Sequence, residues 1–332
     1  MELTTVAPDE VVIHDGPTVH RHLGLSPATT YEFDGLTATT LPAPRGDLLG
    51  TFATVNDVHF GETVAGLIDG AGEGFSVPAG TTPYPTLMNT DAVGEMADLD
   101  PLAVLVKGDL TTDGSPQQVG EFEALYRAAF GDRLHFIRGN HESFHQVHVG
   151  SSYERVELPG LLAIMVDTSR DGHPNGDLTA QQLERLDDEA VDSDVPVVIF
   201  GHHHIWLPGE DARTDRFFGI LPGASEALQA LIARRRNVRG YFAGHTHRNR
   251  RRSVPISGDV PYVEVASVKD FPGAWAEYRI HEGTLVQIMR RVSSPRALAW
   301  TDRTRGMFGG LYPAYSFGEL GDRCFEVDLE SR

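Results

Sequence analysis

Short runs of Val, Ile, Leu and Phe recur along this chain at strand length and alternate with segments whose apolar residues fall at helical spacing. Six runs are nearly continuously apolar, as strands buried on both faces are: Leu49 to Val55, Leu102 to Val106, Leu134 to Ile137, Leu161 to Val166, Val195 to Phe200 and Val238 to Phe242. Between them, Pro116 to Phe130 places Val119, Phe122, Leu125, Tyr126 and Ala129 on one stripe. Thr179 followed by Gln182 is a capping-box start for a helix through Ala190. Gly223 to Arg236 carries Leu228, Leu231 and Ile232 at the same spacing and ends in Arg234, Arg235 and Arg236, cations that suit a helix C-terminus. This rhythm of βα units predicts a layered α/β core. After Arg248 the segments shorten and alternate; Tyr262 to Ser267, Ala276 to Ile280 and Thr284 to Met289 are expected to be antiparallel strands completing a second sheet.

The two ends read differently from the body at residues 48–292. Residues 1–47 hold short strand candidates, Val11 to Ile13, Val19 to His22 and Thr30 to Phe33, among Asp-Gly, Gly-Pro and Ser-Pro turns, and form a small β arm. Gly61 to Pro85 is glycine-rich and is expected to be a loop at the entrance of a site. Residues 293–332 mix Trp300, Phe308, Tyr312, Tyr315 and Phe317 with Gly and Pro, and are expected to pack on the core as a tail.

Composition then narrows the partners. The excess of 47 Asp+Glu over 28 Lys+Arg leaves a formal net charge of −19, which argues against a broad nucleic-acid face and a polybasic membrane surface. No apolar run approaches the roughly 20 residues of a membrane helix. The first residues lack the basic start and apolar run of a secretory leader, and Cys324 is the single cysteine, so a cytoplasmic location without an internal disulfide is expected. The sequence leaves a homo-oligomer open. The 15 His are the unusual feature. Of these, His135, His145, His148 and His173 are read as hydrogen-bonded core residues.

Five clusters directly follow expected strands: Asp57-Val58-His59, Gly108-Asp109, Gly139-Asn140-His141-Glu142, Gly201-His202 and Gly244-His245-Thr246-His247. Residues at strand C-termini converge on one edge of an α/β sheet, so groups far apart in sequence can meet there. Asp, Asn and His donors with no thiolate suit Zn, Mn or Fe. Two such ions about 3.5 to 4 Å apart clamp the attacking and leaving oxygens of a phosphoryl group, with Asp109 as the candidate bridge.

The ordered set resembles the calcineurin-like metallophosphoesterase superfamily, whose elements run Asp-x-His, Gly-Asp, Gly-Asn-His-Asp/Glu, His and Gly-His-x-His; the resemblance covers roughly Leu48 to Met289. Gly-His-x-His alone would arise by chance about 0.07 times at this composition. The run Gly108 to Gly114 is similar to the branch that includes cyclic-nucleotide and glycerophosphodiester phosphodiesterases. Glu142 and the β arm are instead similar to the purple acid and protein phosphatases, whereas Thr112 stands where a purple acid phosphatase would carry a Tyr ligand.

This resemblance implies a four-layer α/β/β/α sandwich preceded by the small β appendage. It implies that Asp57, His59, Asp109 and His247 hold one divalent or trivalent ion (Mn, Fe or Zn), and Asp109, Asn140, His202 and His245 a second. A hydroxide bridging the ions would attack phosphorus in line. His141 and Asp109 would be catalytic, His141 stabilising the transition state or protonating the leaving alkoxide; Asn140, His141 and His203 would contact substrate. Arg248, Arg250, Arg251 and Arg252 would add local positive charge. The expected activity is hydrolysis of a small phosphodiester, the alternatives being a phosphomonoesterase or pyrophosphatase on the same site and a non-catalytic scaffold of the same fold.

Overall fold

Strand and helix boundaries follow the apolar pattern closely through the body of the chain. The structure, a computed structural model, describes residues 1–67, 70, 72–209 and 211–330. In the first part of the chain, β1 (Glu2–Val6), β2 (Glu10–Asp15) and β3 (Thr18–Leu23) form an antiparallel sheet, and β4 (Thr30–Phe33) and β5 (Leu36–Thr39) a hairpin. Then come β6 (Leu48–Val55), α1 (Tyr84–Asp98), β7 (Val104–Lys107), α2 (Pro116–Phe130), β8 (Leu134–Ile137) and the short α3 (Asn140–Phe144). They are followed by β9 (Tyr153–Leu158), β10 (Leu161–Val166), α4 (Ala180–Asp192), β11 (Val197–Phe200), α5 (Pro222–Arg234) and β12 (Val238–Ala243). The chain closes with β13 (Arg250–Arg252), β14 (Tyr262–Glu264), β15 (Ala274–His281), β16 (Thr284–Arg291), α6 (Pro295–Thr304), α7 (Met307–Gly310), α8 (Tyr312–Ser316), α9 (Leu320–Arg323) and β17 (Cys324–Asp328).

The first large sheet has the order β17-β16-β15-β6-β7-β8 and the second β13-β14-β12-β11-β10-β9. β6, β7 and β8 run parallel, as do β10, β11, β12 and β14. The inner faces meet through Phe52, Leu105 and Tyr278 of one sheet and Met165, Phe200 and Phe242 of the other. Phe52 stacks on Tyr278 at 4.6 Å and meets Phe200 edge-on at 6.0 Å. Met88 of α1, Phe122 of α2 and Trp300 of α6 pack over Val104 and Val106 on the outside of the first sheet, while Leu186 of α4 and Leu228 of α5 cover Ile164 and Ile199 on the second. Four layers result, α/β/β/α. The N-terminal sheet is fastened by Thr5 Oγ1 donating to Met289 O at 2.7 Å and by Arg290 joining Glu10 and Glu277 at 2.6 Å each.

Some expectations are corrected. Of the three strands expected after Arg248, only the first, Tyr262–Glu264, enters the second sheet, and parallel to β12; β15 and β16 instead join the first, because β15 pairs antiparallel with β6. The loop from Gly61 ends in α1, whose first residue is Tyr84; Ile68, Asp69 and Ala71 of that loop lie outside the described residues. The final segment contributes not only a cover of helices but β17, paired with β16; its last residues, 331 and 332, lie outside the described residues. His145, His148 and His173 are exposed rather than core; His135 is half-buried and bonded through Nδ1 to Glu154 at 2.7 Å. Among the described residues no helix is long and apolar enough to cross a membrane.

Candidate metal centre

All five clusters follow parallel strands, β6, β7 and β8 in one sheet and β11 and β12 in the other, and therefore meet at one edge of the sandwich. Backbone bonds lock the first two together: Val58 N and His59 N both donate to Asp109 O, at 2.9 and 3.0 Å. Within the second sheet, Gly244 N donates to His202 O at 2.9 Å, and between the sheets His245 N donates to Asp57 Oδ2 at 3.1 Å. Close approach explains two of the glycines. A Cβ on Gly139 would stand 2.2 Å from Asp109 Oδ1, and one on Gly108 would stand 2.6 Å from the His202 ring. Among the described residues, half of the ten non-glycine positions with positive φ are Asp57, His59, Asp109, His245 and His247. Such backbone conformations cost energy and gather where function holds them.

Two donor groups share Asp109. On one side, His59 Nε2 lies 3.5 Å from Asp109 Oδ2, and His247 Nε2 lies 3.4 Å from Asp57 Oδ1. On the other, His202 Nε2 is 3.3 Å from Asp109 Oδ1 and 2.9 Å from Asn140 Oδ1, and His245 Nδ1 is 2.7 Å from the same Asn140 oxygen. Donors bound at about 2.0 to 2.2 Å to a common cation stand about 3 Å apart, so these spacings fit one ion in each group. Both ring nitrogens of His59 are buried and lack a hydrogen-bond partner, as does His203 Nε2. A cation would relieve one nitrogen of His59, an orphaned atom that otherwise costs about 1 to 3 kcal/mol.

Except in His59, the second nitrogen of each donor imidazole faces a partner behind it. His202 Nδ1 meets Lys107 O at 2.7 Å and His245 Nε2 meets Phe218 O at 2.6 Å; a carbonyl only accepts, so each of these nitrogens is the donor. His247 Nδ1 faces Asp270 Oδ2 at 3.5 Å, and Asp270 accepts from Tyr312 Oη at 2.7 Å. His141 N donates to Asp109 Oδ1 at 3.0 Å and its Nδ1 to Thr112 O at 2.9 Å, which leaves Nε2 available. His203 is fully buried, bonded through Nδ1 to Thr168 Oγ1 at 2.8 Å, and one nitrogen of its ring lies within 4.8 Å of donor atoms of His202 and His245. Glu142 is not among the donors. Its oxygens accept from Thr111 N, Thr111 Oγ1 and Gly139 N at 2.7, 2.6 and 2.8 Å, bracing the second and third clusters against each other.

Electrostatics at the centre is dominated by burial and by the carboxylates of Asp57 and Asp109. Burial opposes charge on His202 and His247, but Asp109 holds the first up at about 9 and Asp57 the second at about 10. Burial opposes charge on Asp57 and Asp109 as well, yet the neighbouring imidazoles keep both carboxyls below their ordinary range. Of the arginines after His247, Arg248 and Arg250 bind Glu264, through Nε at 2.9 and 2.5 Å, and Arg251 lies over the Phe325 ring.

Sequence reasoning did not single out Asp270, Lys269, Glu62 or Phe218. Lys269 Nζ pairs with Glu62 and lies 3.7 Å from Asp270. A signal for two of them existed: Lys269 and Asp270 follow β14, a parallel strand ending at the same edge as the five clusters.

Comparison with known proteins agrees with this geometry. The family model described as calcineurin-like phosphoesterase matches residues 50–249. A cAMP/cGMP dual specificity phosphodiesterase of Mycobacterium tuberculosis is 27% identical over 184 residues, covering 49% of this chain and 56% of that protein. A probable cyclic nucleotide phosphodiesterase of Fibrobacter succinogenes is 26% identical over 162 residues, 46% of this chain and 59% of that one. This chain thus spans little more than half the length of the curated relatives it matches. Among solved structures, a dimetal phosphatase from Danio rerio shares the fold with a TM-score of 0.59 at 17% identity, covering 75% of this chain and 98% of that one. The purple acid phosphatase of yellow lupin seeds does so at 0.50 and 13% identity, covering 85% and 62%.

Proposed function

Because the chain belongs to the calcineurin-like phosphoesterase family, we propose that it is a dinuclear metal-dependent hydrolase of small phosphodiesters. The observation that supports this most directly is the pair of donor groups sharing Asp109. We assign Asp57, His59, Asp109 and His247 to one ion and Asp109, Asn140, His202 and His245 to the other, with Mn, Zn or Fe suited to the donors. When bound, the ions would supply a water of lowered pKa and neutralise charge on the phosphoryl oxygens. Asp109, fixed by His141 N, spaces the two groups. His141, with Nδ1 committed to Thr112 O, is assigned to proton transfer to the leaving alkoxide through Nε2, and Asn140 and His141 to contacts with the phosphoryl group. His203 is closed off from the cleft by burial, and we assign it to bracing His245 in place of a substrate contact.

Charge favours a diester over a monoester. The cation lining the cleft beside His247, Lys269, is paired with Glu62, and Arg248 and Arg250 with Glu264, so the protein adds little positive charge beyond the ions to hold a dianion. The names of the relatives favour a cyclic nucleotide as one such diester. With Mn²⁺ or Zn²⁺ supplied, bis(p-nitrophenyl) phosphate should be hydrolysed faster than p-nitrophenyl phosphate. Turnover of the monoester alone would refute the diesterase assignment, and turnover of neither would leave the scaffold alternative.

A further inference from the structure

The mouth of the metal centre is unusually apolar for a protein this acidic. A cavity of ≈ 520 Å³ is lined by His245 and His247 and by apolar side chains from three separate segments. Phe218 is 52% exposed, Leu311 71%, Tyr315 46%, Leu67 42% and Phe308 37%. Isolated exposed apolar residues need no explanation, but a ring of them around one cavity does. Phe218 makes the connection with the chemistry. Its carbonyl accepts from His245 Nε2 and its ring stacks on the His245 imidazole at 4.1 Å, while much of its surface remains open.

Several polar groups on the same walls are already engaged. Lys269 is bound to Glu62; Asp270 accepts from Tyr312 Oη; Tyr315 Oη donates to Thr246 O at 2.9 Å. A polyol entering this cavity would give up its water for few partners, whereas a ring or chain would gain by leaving water.

Resting on the phosphodiesterase reading above, we propose that this cavity is the subsite for the organic group of the ester, and that it selects an apolar aryl or alkyl body over a glycerol-like one. The phosphoryl head is anchored at the Asp109 edge, and the apolar body lies between Phe218 and the α7–α8 segment that carries Phe308 and Leu311.

Binding tests this without depending on turnover. Metal-loaded protein is titrated calorimetrically with methylphosphonate, hexylphosphonate, phenylphosphonate and glycerol 3-phosphate. At least one of the hexyl and phenyl compounds should bind ten times more tightly than methylphosphonate, and glycerol 3-phosphate no more than threefold more tightly. Which of the two wins separates an alkyl from an aryl occupant. Leu311→Asp, at an exposed position, should shrink the apolar advantage to under threefold. Equal dissociation constants across the series, or a glycerol compound that binds best, would overturn the subsite; the phosphodiesterase reading would still stand or fall on hydrolysis of bis(p-nitrophenyl) phosphate.

Discussion

His141 and His247 show how the same side chain acquires different work from its surroundings. His247 stands between two carboxylates, Asp57 on the Nε2 side and Asp270 on the Nδ1 side, which fixes both ring orientation and donor strength. His141 instead has a carbonyl behind it and an uncommitted Nε2. His141→Ala should therefore retain both metals and lose about 10²- to 10⁴-fold in kcat, the usual contribution of a positioned general acid. Asp270→Asn should do the reverse in emphasis, weakening metal affinity about 10- to 100-fold with activity recovered at saturating metal. Metal content by elemental analysis and kcat at graded metal concentration separate the two; loss of metal in the His141 variant would contradict its assignment. Asp109, in both donor groups, should lose both metals and all activity as Asp109→Ala. The assigned donors were legible because they sit in short motifs after strands, four of the five opening on a glycine. Asp270 was not, since it reaches His247 only through the fold, and Tyr312, which orients it, comes from the final 40 residues.

At the scale of elements, the continuous apolar runs gave the strand ends within a residue or two, because strands covered on both faces leave little room for polar positions. Helix α2 was equally plain from its stripe. Helix α1 was not. Its buried side includes Asn89, which donates to Val58 O and Pro85 O and accepts from Tyr126 Oη, so a polar residue occupies a core position and breaks the stripe. Strand β1 was missed for a related reason, as Thr4 and Thr5 are buried and bonded to Val12 O and Met289 O. Glu142, which in sequence distinguishes one branch of the superfamily from another, is in the structure a fully buried strut between the β7 and β8 turns, accepting from three donors. Glu142→Gln puts an NH₂ where one of those donors points. It should cost about 1 to 3 kcal/mol of stability, seen as a lowered Tm of the metal-free protein. An unchanged Tm would mean that the strut carries no load.

For the molecule as a whole, metal, protons and net charge compete for the same edge of the sandwich. A protein of net charge −19 attracts divalent cations from solution, and its metal-free centre answers the carboxylates of Asp57 and Asp109 with protons on His202 and His247. Those imidazoles have folded-state pKa values of about 9 and about 10 against an ordinary 6.5. The folded state thus holds their protons more tightly than the unfolded chain does. Their contribution to stability is complete below pH 6.5 and is lost as pH rises through 9 and 10. Metal-free protein should accordingly show a Tm that falls between pH 7 and pH 10, while metal-loaded protein, in which cations replace the protons, should hold its Tm over that interval. The same competition predicts that adding Zn²⁺ or Mn²⁺ at pH 7 in weak buffer releases about two protons per chain, since ligand imidazoles must be neutral to bind metal. A pH-stat titration reads that number directly. Proton release near zero, with metal nevertheless bound, would mean that His202 and His247 are neutral in the metal-free protein and that the carboxylates do not govern the centre.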